Sequence, residues 1–150
     1  MKKAKLAAVI DVGSTAIRMV IAEIDSAGEL RRIDRAVKPV PFGRDVFMSG
    51  RISRETVLLS LRILAGYAEL LNGWRIPPED VRVIATSAIR EAKNRDAFID
   101  RVFLRTGFRI NVLEGIEENH LTYLAVLHAV KDMRGDMART NSLIIEVGGG

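Results

Sequence analysis

The chain of 150 residues contains no cysteine, which excludes disulfides, thiolate metal sites and thiol nucleophiles and fits a reducing cytoplasm. Aromatic side chains are scarce, at 5%. The interior must therefore be built from Leu, Ile, Val and Ala, the usual composition of α/β proteins whose strands are covered on both faces. Long apolar runs are missing too. The lysines at the start precede only the short stretch from Leu6 to Ile10 before Asp11 intervenes, too brief for the core of a signal peptide, and longer apolar segments are broken by charges such as Arg62 and Glu69. There is no internal repeat and no low-complexity tract. The reading is a soluble cytoplasmic protein with no membrane partner.

Hydrophobic residues make up 48% of the chain, enough for one core, so the chain reads as a single domain or one lobe of a larger protein. The net charge of +4 suits a polyanionic partner such as a phosphate chain or a nucleotide. An ordinary soluble domain with a small basic excess accounts for the same charge equally well.

Leu6 to Val12 reads as a buried strand, and Ile17 to Ile24 as its hairpin partner across a turn at Gly13 to Thr15. After a second turn at Asp25 to Gly28, Leu30 to Val40 reads as a third, more charged strand nearer an edge, closed by Pro39 and Pro41. Pro41 to Arg51, with Gly43 and Gly50 and no strong period, reads as a loop. Ser53 then caps a helix whose apolar residues, among them Val57, Leu61, Leu64, Ala68 and Leu71, recur at three- and four-residue steps up to Asn72-Gly73. A strand over Val81 to Thr86, a helix over Arg95 to Thr106, a strand over Phe108 to Leu113 and a helix over Ile116 to Val130 follow. The polar stretch Lys131 to Asn141 is a linker, and Leu143 to Val147 a last strand. Three antiparallel strands followed by alternating helices and strands make an α/β, ribonuclease-H-like lobe with a mixed sheet, the half-unit of the actin-like ATPase superfamily.

Two segments share one form. LAAVIDVGST and SLIIEVGGG both place an apolar, β-branched run before an acidic residue and a tight glycine turn. Such a turn supplies backbone N–H groups, close approach at glycine and, in the first copy, the hydroxyls of Ser14 and Thr15, all suited to phosphate oxygens. Asp11 adds a hard oxygen ligand for Mg²⁺. A tight hairpin with an Asp-initiated turn explains the first copy alone, but three consecutive glycines have little packing value and point to backbone approach to a ligand. Glu114, Glu117 and Glu118 sit where a strand gives way to a helix. Carboxylates are common in a first helical turn, where they favour the dipole; a general base for water attack is the functional alternative. Ser87 and Arg90 follow a strand end, and Arg90 suits bidentate phosphate binding or simple solvation. His120 and His128, two turns apart, cannot chelate one metal and are read as structural.

Taken in order, DVGSTAIR, VIATSAIREAKN, FRINVLEGIEENHLTYLAV and LIIEVGGG resemble the exopolyphosphatase and guanosine pentaphosphate phosphatase (Ppx/GppA) family over essentially the whole chain. The resemblance implies two actin-like lobes around a cleft, in which Mg²⁺-assisted water attack releases the terminal phosphate of inorganic polyphosphate or of pppGpp. It places the catalytic base on Glu118, with Glu117 as the alternative. It places phosphate binding on Gly13, Ser14, Thr15, Arg90, Gly148, Gly149 and Gly150, and the metal on Asp11 and Glu146. Three positions depart from the family pattern: Thr15 stands for Asn, His120 for Arg and Glu146 for Asp. The extra methylene at Glu146 displaces its carboxylate by about one bond length in a site that tolerates little misplacement.

These implications divide the chain into an N-terminal lobe over residues 1–130 and, over 131–150, a linker with the first strand and phosphate loop of a second lobe that is missing here. Isolated, such a lobe is expected to be weak or inactive. Its partners are polyphosphate or guanosine tetra- and pentaphosphate, with no specific nucleic acid, and the exposed lobe surface offers a site for a homodimer. Two rivals stand beside the hydrolase: a non-catalytic sensor of polyphosphate or guanosine alarmones, and an actin-like kinase.

Overall fold

The computed structural model describes residues 4–130 and 143–145. Strands β1 (Lys5–Val12), β2 (Ala16–Ile24) and β3 (Leu30–Pro39) form an antiparallel meander. Strand β4 (Val81–Ala85) pairs in parallel with the other side of β1, and β5 (Ile110–Val112) pairs in parallel with β4. The order β3-β2-β1-β4-β5 is the mixed sheet that the succession of elements implies.

Period-two alternation decides which face of this sheet is buried. Ala8, Ile10 and Val12 of β1 and Ile17, Met19 and Ile21 of β2 point into the core. Helices α2 (Arg54–Gly73) and α4 (Arg95–Thr106) pack onto it through Leu64, Tyr67, Leu71, Phe98 and Val102. The Tyr67 hydroxyl donates to Ile17 O at 3.2 Å, so the one polar atom of that ring is satisfied on β2. Phe98 meets Phe42 edge to face, with ring centroids 5.5 Å apart. Each fully buried side chain of this size contributes about 1.5–3 kcal/mol. Residues of the opposite parity, Ala7, Val9 and Asp11, stay half-exposed or exposed, and Val9 is 45% exposed. Among the described residues the strands are therefore not covered equally on both faces: small or charged side chains at Ala7, Asp11, Arg18, Ala22 and Arg82 give the second face little apolar surface to bury.

Helix ends follow their capping residues. The Ser53 hydroxyl accepts from Thr56 N–H at the start of α2, and Gly107, in the left-handed region at φ 75°, ends α4. One local expectation needs correction. Pro41 to Arg51 is not a loop but contains helix α1 (Phe42–Ser49), which buries Phe42, half-buries Val46 one turn later and stops at Gly50 with φ 69°. Gly43 obscures that helix in the sequence, and its N–H donates to Ser14 O at 2.7 Å. A five-residue helix, α3 (Ser87–Glu91), turns away directly after β4. Of the strand expected over Leu143 to Val147, only Leu143 to Ile145 are among the described residues; they are exposed and pair with no described strand. Helix α5 (Gly115–Ala129) buries none of its residues fully and exposes Ile116, Leu121, Tyr123 and Leu124. Among the described residues no helix is long and apolar enough to cross a membrane.

Candidate active site

Strands β1, β4 and β5 run side by side in parallel, so their carboxyl ends lie at one edge of the sheet. In parallel sheets that edge is where ligands bind. From it depart the loop Gly13 to Thr15, the start of α3 at Ser87 and the junction from Leu113 into α5. A cavity of about 460 Å³ lies elsewhere, among Pro78, Val81, Phe108 and Arg109 at the amino ends of β4 and β5. It contains none of these groups, and location relative to the strand ends outweighs size.

The first loop is held from three sides. Gly13 N–H closes the turn on Ala16 O at 3.0 Å. Ser14 O accepts from Gly43 N–H and Thr15 O from Val40 N–H at 3.0 Å, bracing the loop on α1 and the end of β3. The Ser14 and Ser87 hydroxyl oxygens stand 3.2 Å apart, which joins the first loop to the start of α3. Thr15 is exposed.

Asp11, on the more open face of β1, lies directly across from Arg18 on β2. Arg18 Nη1 donates to Asp11 Oδ2 at 3.2 Å. Burial raises the Asp11 carboxyl above its ordinary 3.8, with the hydrogen bond and charge of Arg18 pulling the other way. A Cβ at position 13 would stand 2.8 Å from Arg18 Nη1, so glycine is what lets the guanidinium lie across the loop. Arg18 lies within the DVGSTAIR segment, in which nothing marks it as the partner of Asp11. Its pairing is encoded only in the hairpin register, which sets residue 18 opposite residue 11.

At the second corner, Arg90 on α3 has a side chain 20% exposed. Its Nη1 donates to Leu113 O at 2.7 Å and stands 3.5 Å from Glu118 Oε2, while its Nε lies 3.4 Å from Glu91 Oε1. The three glutamates of this corner divide their work. Glu114 is the N-cap of α5 and forms a capping box with Glu117, whose Oε2 accepts from Glu114 N–H at 2.9 Å. That leaves Glu117 engaged in starting the helix. Glu118, the next residue, points its carboxylate at Arg90 and is 32% exposed, open to water and anchored on one side. His120 and His128 are exposed on α5. Glu146 and Gly148, Gly149 and Gly150 lie outside the described residues.

The model of the Ppx/GppA phosphatase family matches residues 20–150. The exopolyphosphatase 2 of Mycobacterium tuberculosis is 30% identical over 153 residues, covering 95% of this chain and 45% of that protein. The guanosine-5'-triphosphate,3'-diphosphate pyrophosphatase of Pseudoalteromonas translucida is 30% identical over 142 residues, covering 95% of this chain and 27% of that protein. Among solved structures, the Ppx/GppA family member of Aquifex aeolicus superposes with a TM-score of 0.77 at 30% identity, over 85% of this chain and 41% of the other. The chain spans less than half the length of the curated relatives it matches.

Proposed function

This chain belongs to the Ppx/GppA phosphatase family, and from that premise we propose that it forms one wall of a cleft in which a terminal phosphoanhydride bond is hydrolysed. The observation that carries the reading is the meeting, at one sheet edge, of a braced glycine-serine loop with a half-exposed carboxylate held by an arginine. Glu118 takes a proton from a water whose oxygen attacks the terminal phosphorus, and the bond from that phosphorus to the bridging oxygen breaks, releasing orthophosphate and the shortened chain. Ser14, Thr15 and Ser87 stand at the same edge, and their hydroxyls, with the Arg18 guanidinium beside Asp11, suit the phosphate oxygens. Residues 1–130 form the lobe that supplies these groups, and 131–150 lead into a second lobe carrying Glu146 and Gly148 to Gly150.

Inorganic polyphosphate and guanosine pentaphosphate are the two substrate classes, after the relatives named above, and a reducing cytoplasm suits a chain without cysteine. Among the described residues no group of three or more His, Asp and Glu side chains converges on a metal position. Mg²⁺ keeps most of its waters and needs only one or two carboxylates beside substrate phosphates, which Asp11, one third exposed, fits once Arg18 gives up its Oδ2. Bound there, the ion would neutralise charge on the phosphate oxygens.

The test is phosphate release from polyphosphate and from pppGpp by the longest native form of the protein and its Glu118→Gln variant. Loss of about 10²–10⁴-fold in kcat with the fold intact is expected for a general base. Unchanged turnover removes Glu118 from that role, and tight binding without any release, measured by calorimetry, would make the protein a sensor instead.

A further inference from the structure

We propose that the apolar pocket between α1 and α3 receives the guanine base of guanosine pentaphosphate, with Phe47 stacked on the face of the base and Glu91 accepting from its edge, an assignment that rests on the reading of the adjoining strand edge as the phosphate site. The pocket, of about 270 Å³, is lined by Gly43, Val46, Phe47, Ser87, Ala88 and Glu91. Two of these residues also belong to the phosphate edge. The Ser87 hydroxyl stands 3.2 Å from that of Ser14, and Gly43 N–H donates to Ser14 O at 2.7 Å. A ligand held by the two serines therefore has this pocket beside it.

The size and chemistry of the pocket match one part of one of the two substrates. Sites that enclose a whole drug-sized ligand run to about 300–1,000 Å³, so this one suits a single ring system and leaves ribose and phosphates outside. Polyphosphate is charged along its entire length and has nothing to set against Val46 and Ala88. A purine base has two apolar faces and a polar edge. Phe47 is 90% exposed, a large ring left unburied by the fold and free to stack on a base. The rise of α1 carries it about 6 Å beyond Gly43, a gap that the inner phosphates and the ribose bridge. At the edge of the base, guanine offers two donors side by side, its N1–H and its amino group, where adenine offers an acceptor at N1. The carboxylate of Glu91, which accepts and does not donate, suits guanine. Its Oε1 lies 3.4 Å from Arg90 Nε, so the neighbouring guanidinium offsets its charge where phosphates are near.

Kinetics on the longest native form, with pppGpp and with polyphosphate, test the assignment. Phe47→Ala is expected to raise KM for pppGpp about 5–100-fold, the range of one base stacked on one ring, and to leave kcat and both constants for polyphosphate within about threefold. Phe47→Trp should keep the KM of the parent and Phe47→Leu should not, since only the first retains an aromatic face. At so exposed a position these changes leave the fold intact. An unchanged KM for pppGpp in Phe47→Ala overturns the pocket. So does an equal loss on both substrates, which would mean that α1 only supports the phosphate loop or that another part of the protein seats on Phe47. Calorimetric titration gives a readout independent of turnover: the parent should bind GTP at least about tenfold more tightly than ATP, and Glu91→Gln should shrink that ratio at least about fivefold. Equal affinities for GTP and ATP in the parent refute the role of Glu91. If the parent hydrolyses neither pppGpp nor polyphosphate, the hydrolase reading fails by itself, and titration with pppGpp still decides the pocket: Phe47→Ala must weaken Kd at least about fivefold, and an unchanged Kd, or no binding by the parent, overturns it.

Discussion

Replacing Gly13 by alanine separates what the first loop does for a ligand from what it does for the fold. The added Cβ would stand 2.8 Å from Arg18 Nη1, 3.4 Å from Ala16 O and 3.6 Å from Asp11 Oδ2. The tight contact is with the end of a flexible side chain, so it is relieved when Arg18 swings away and the 3.2 Å pair with Asp11 is lost. With side chains 39% and 33% exposed, that pair is screened by water and contributes about 0–1 kcal/mol. Gly13 is not among the glycines with positive φ, and alanine at a backbone position it can adopt stabilises by about 0.4–1 kcal/mol through the unfolded chain. The two effects nearly cancel, leaving a net change within about 1 kcal/mol and a Tm within about 5 °C of the parent. Binding behaves differently, because the methyl closes the approach to the loop and displaces Arg18 from it. Calorimetric titration with polyphosphate should show affinity weakened at least about tenfold, or 1.4 kcal/mol. A loss of more than about 3 kcal/mol in thermal unfolding would show that Arg18 cannot move and that the loop is set by rigid packing. Unchanged affinity would show that phosphate does not approach there.

Four further substitutions probe the fold around the site. Because burial raises the Asp11 carboxyl above 3.8, the folded protein keeps that proton to higher pH than the unfolded chain, so this residue's contribution is full below pH 3.8 and is lost as pH rises through the raised value. Asp11→Asn, which cannot ionise, should therefore gain in urea midpoint relative to the parent as pH climbs from 3.8, and a gain in the opposite direction contradicts the assignment. Phe98→Ala removes a ring packed edge to face on Phe42 and should cost about 3–5 kcal/mol in denaturant unfolding; a cost under 1 kcal/mol would mean the core refills. Gly50→Ala and Gly107→Ala put a Cβ at φ 69° and 75° and should each cost about 1–2 kcal/mol. Gly50 should be the worse because Lys93 Cε lies 3.2 Å from the new methyl while nothing crowds Gly107, and equal melting temperatures would refute that ranking.

The meander and α2 are legible in the sequence because one period runs through each without interruption: Ala8, Ile10 and Val12 against Ile17, Met19 and Ile21 at every second position, and Val57 to Leu71 at helical steps behind the Ser53 cap. Helix α1 is not legible, since Gly43 near its start and Gly50 at its end interrupt a run of only eight residues. Helix α3 is too short to display any period. Within the site, motif order picks out Asp11, Ser14 and Glu118. The separation of Glu117 from Glu118 depends on which carboxylate turns back to the cap, and the three-residue spacing from Glu114 to Glu117 is the signal that finds it. The partners of Arg90 are beyond any pattern of side chains, because the nearest is a backbone carbonyl 23 residues away.

The contact between Ser14 and Ser87 joins residues 73 apart in the chain, whereas the turns of the β1, β2 and β3 meander close over a few residues. Closing a long loop costs more entropy than closing a short one, and non-local pairings form late. The meander therefore assembles first, and the two halves of the phosphate-binding edge meet only when β4 docks alongside β1. A partly folded chain has strands but no place for a phosphate. A ligand that binds at that edge therefore stabilises the finished lobe and none of its precursors.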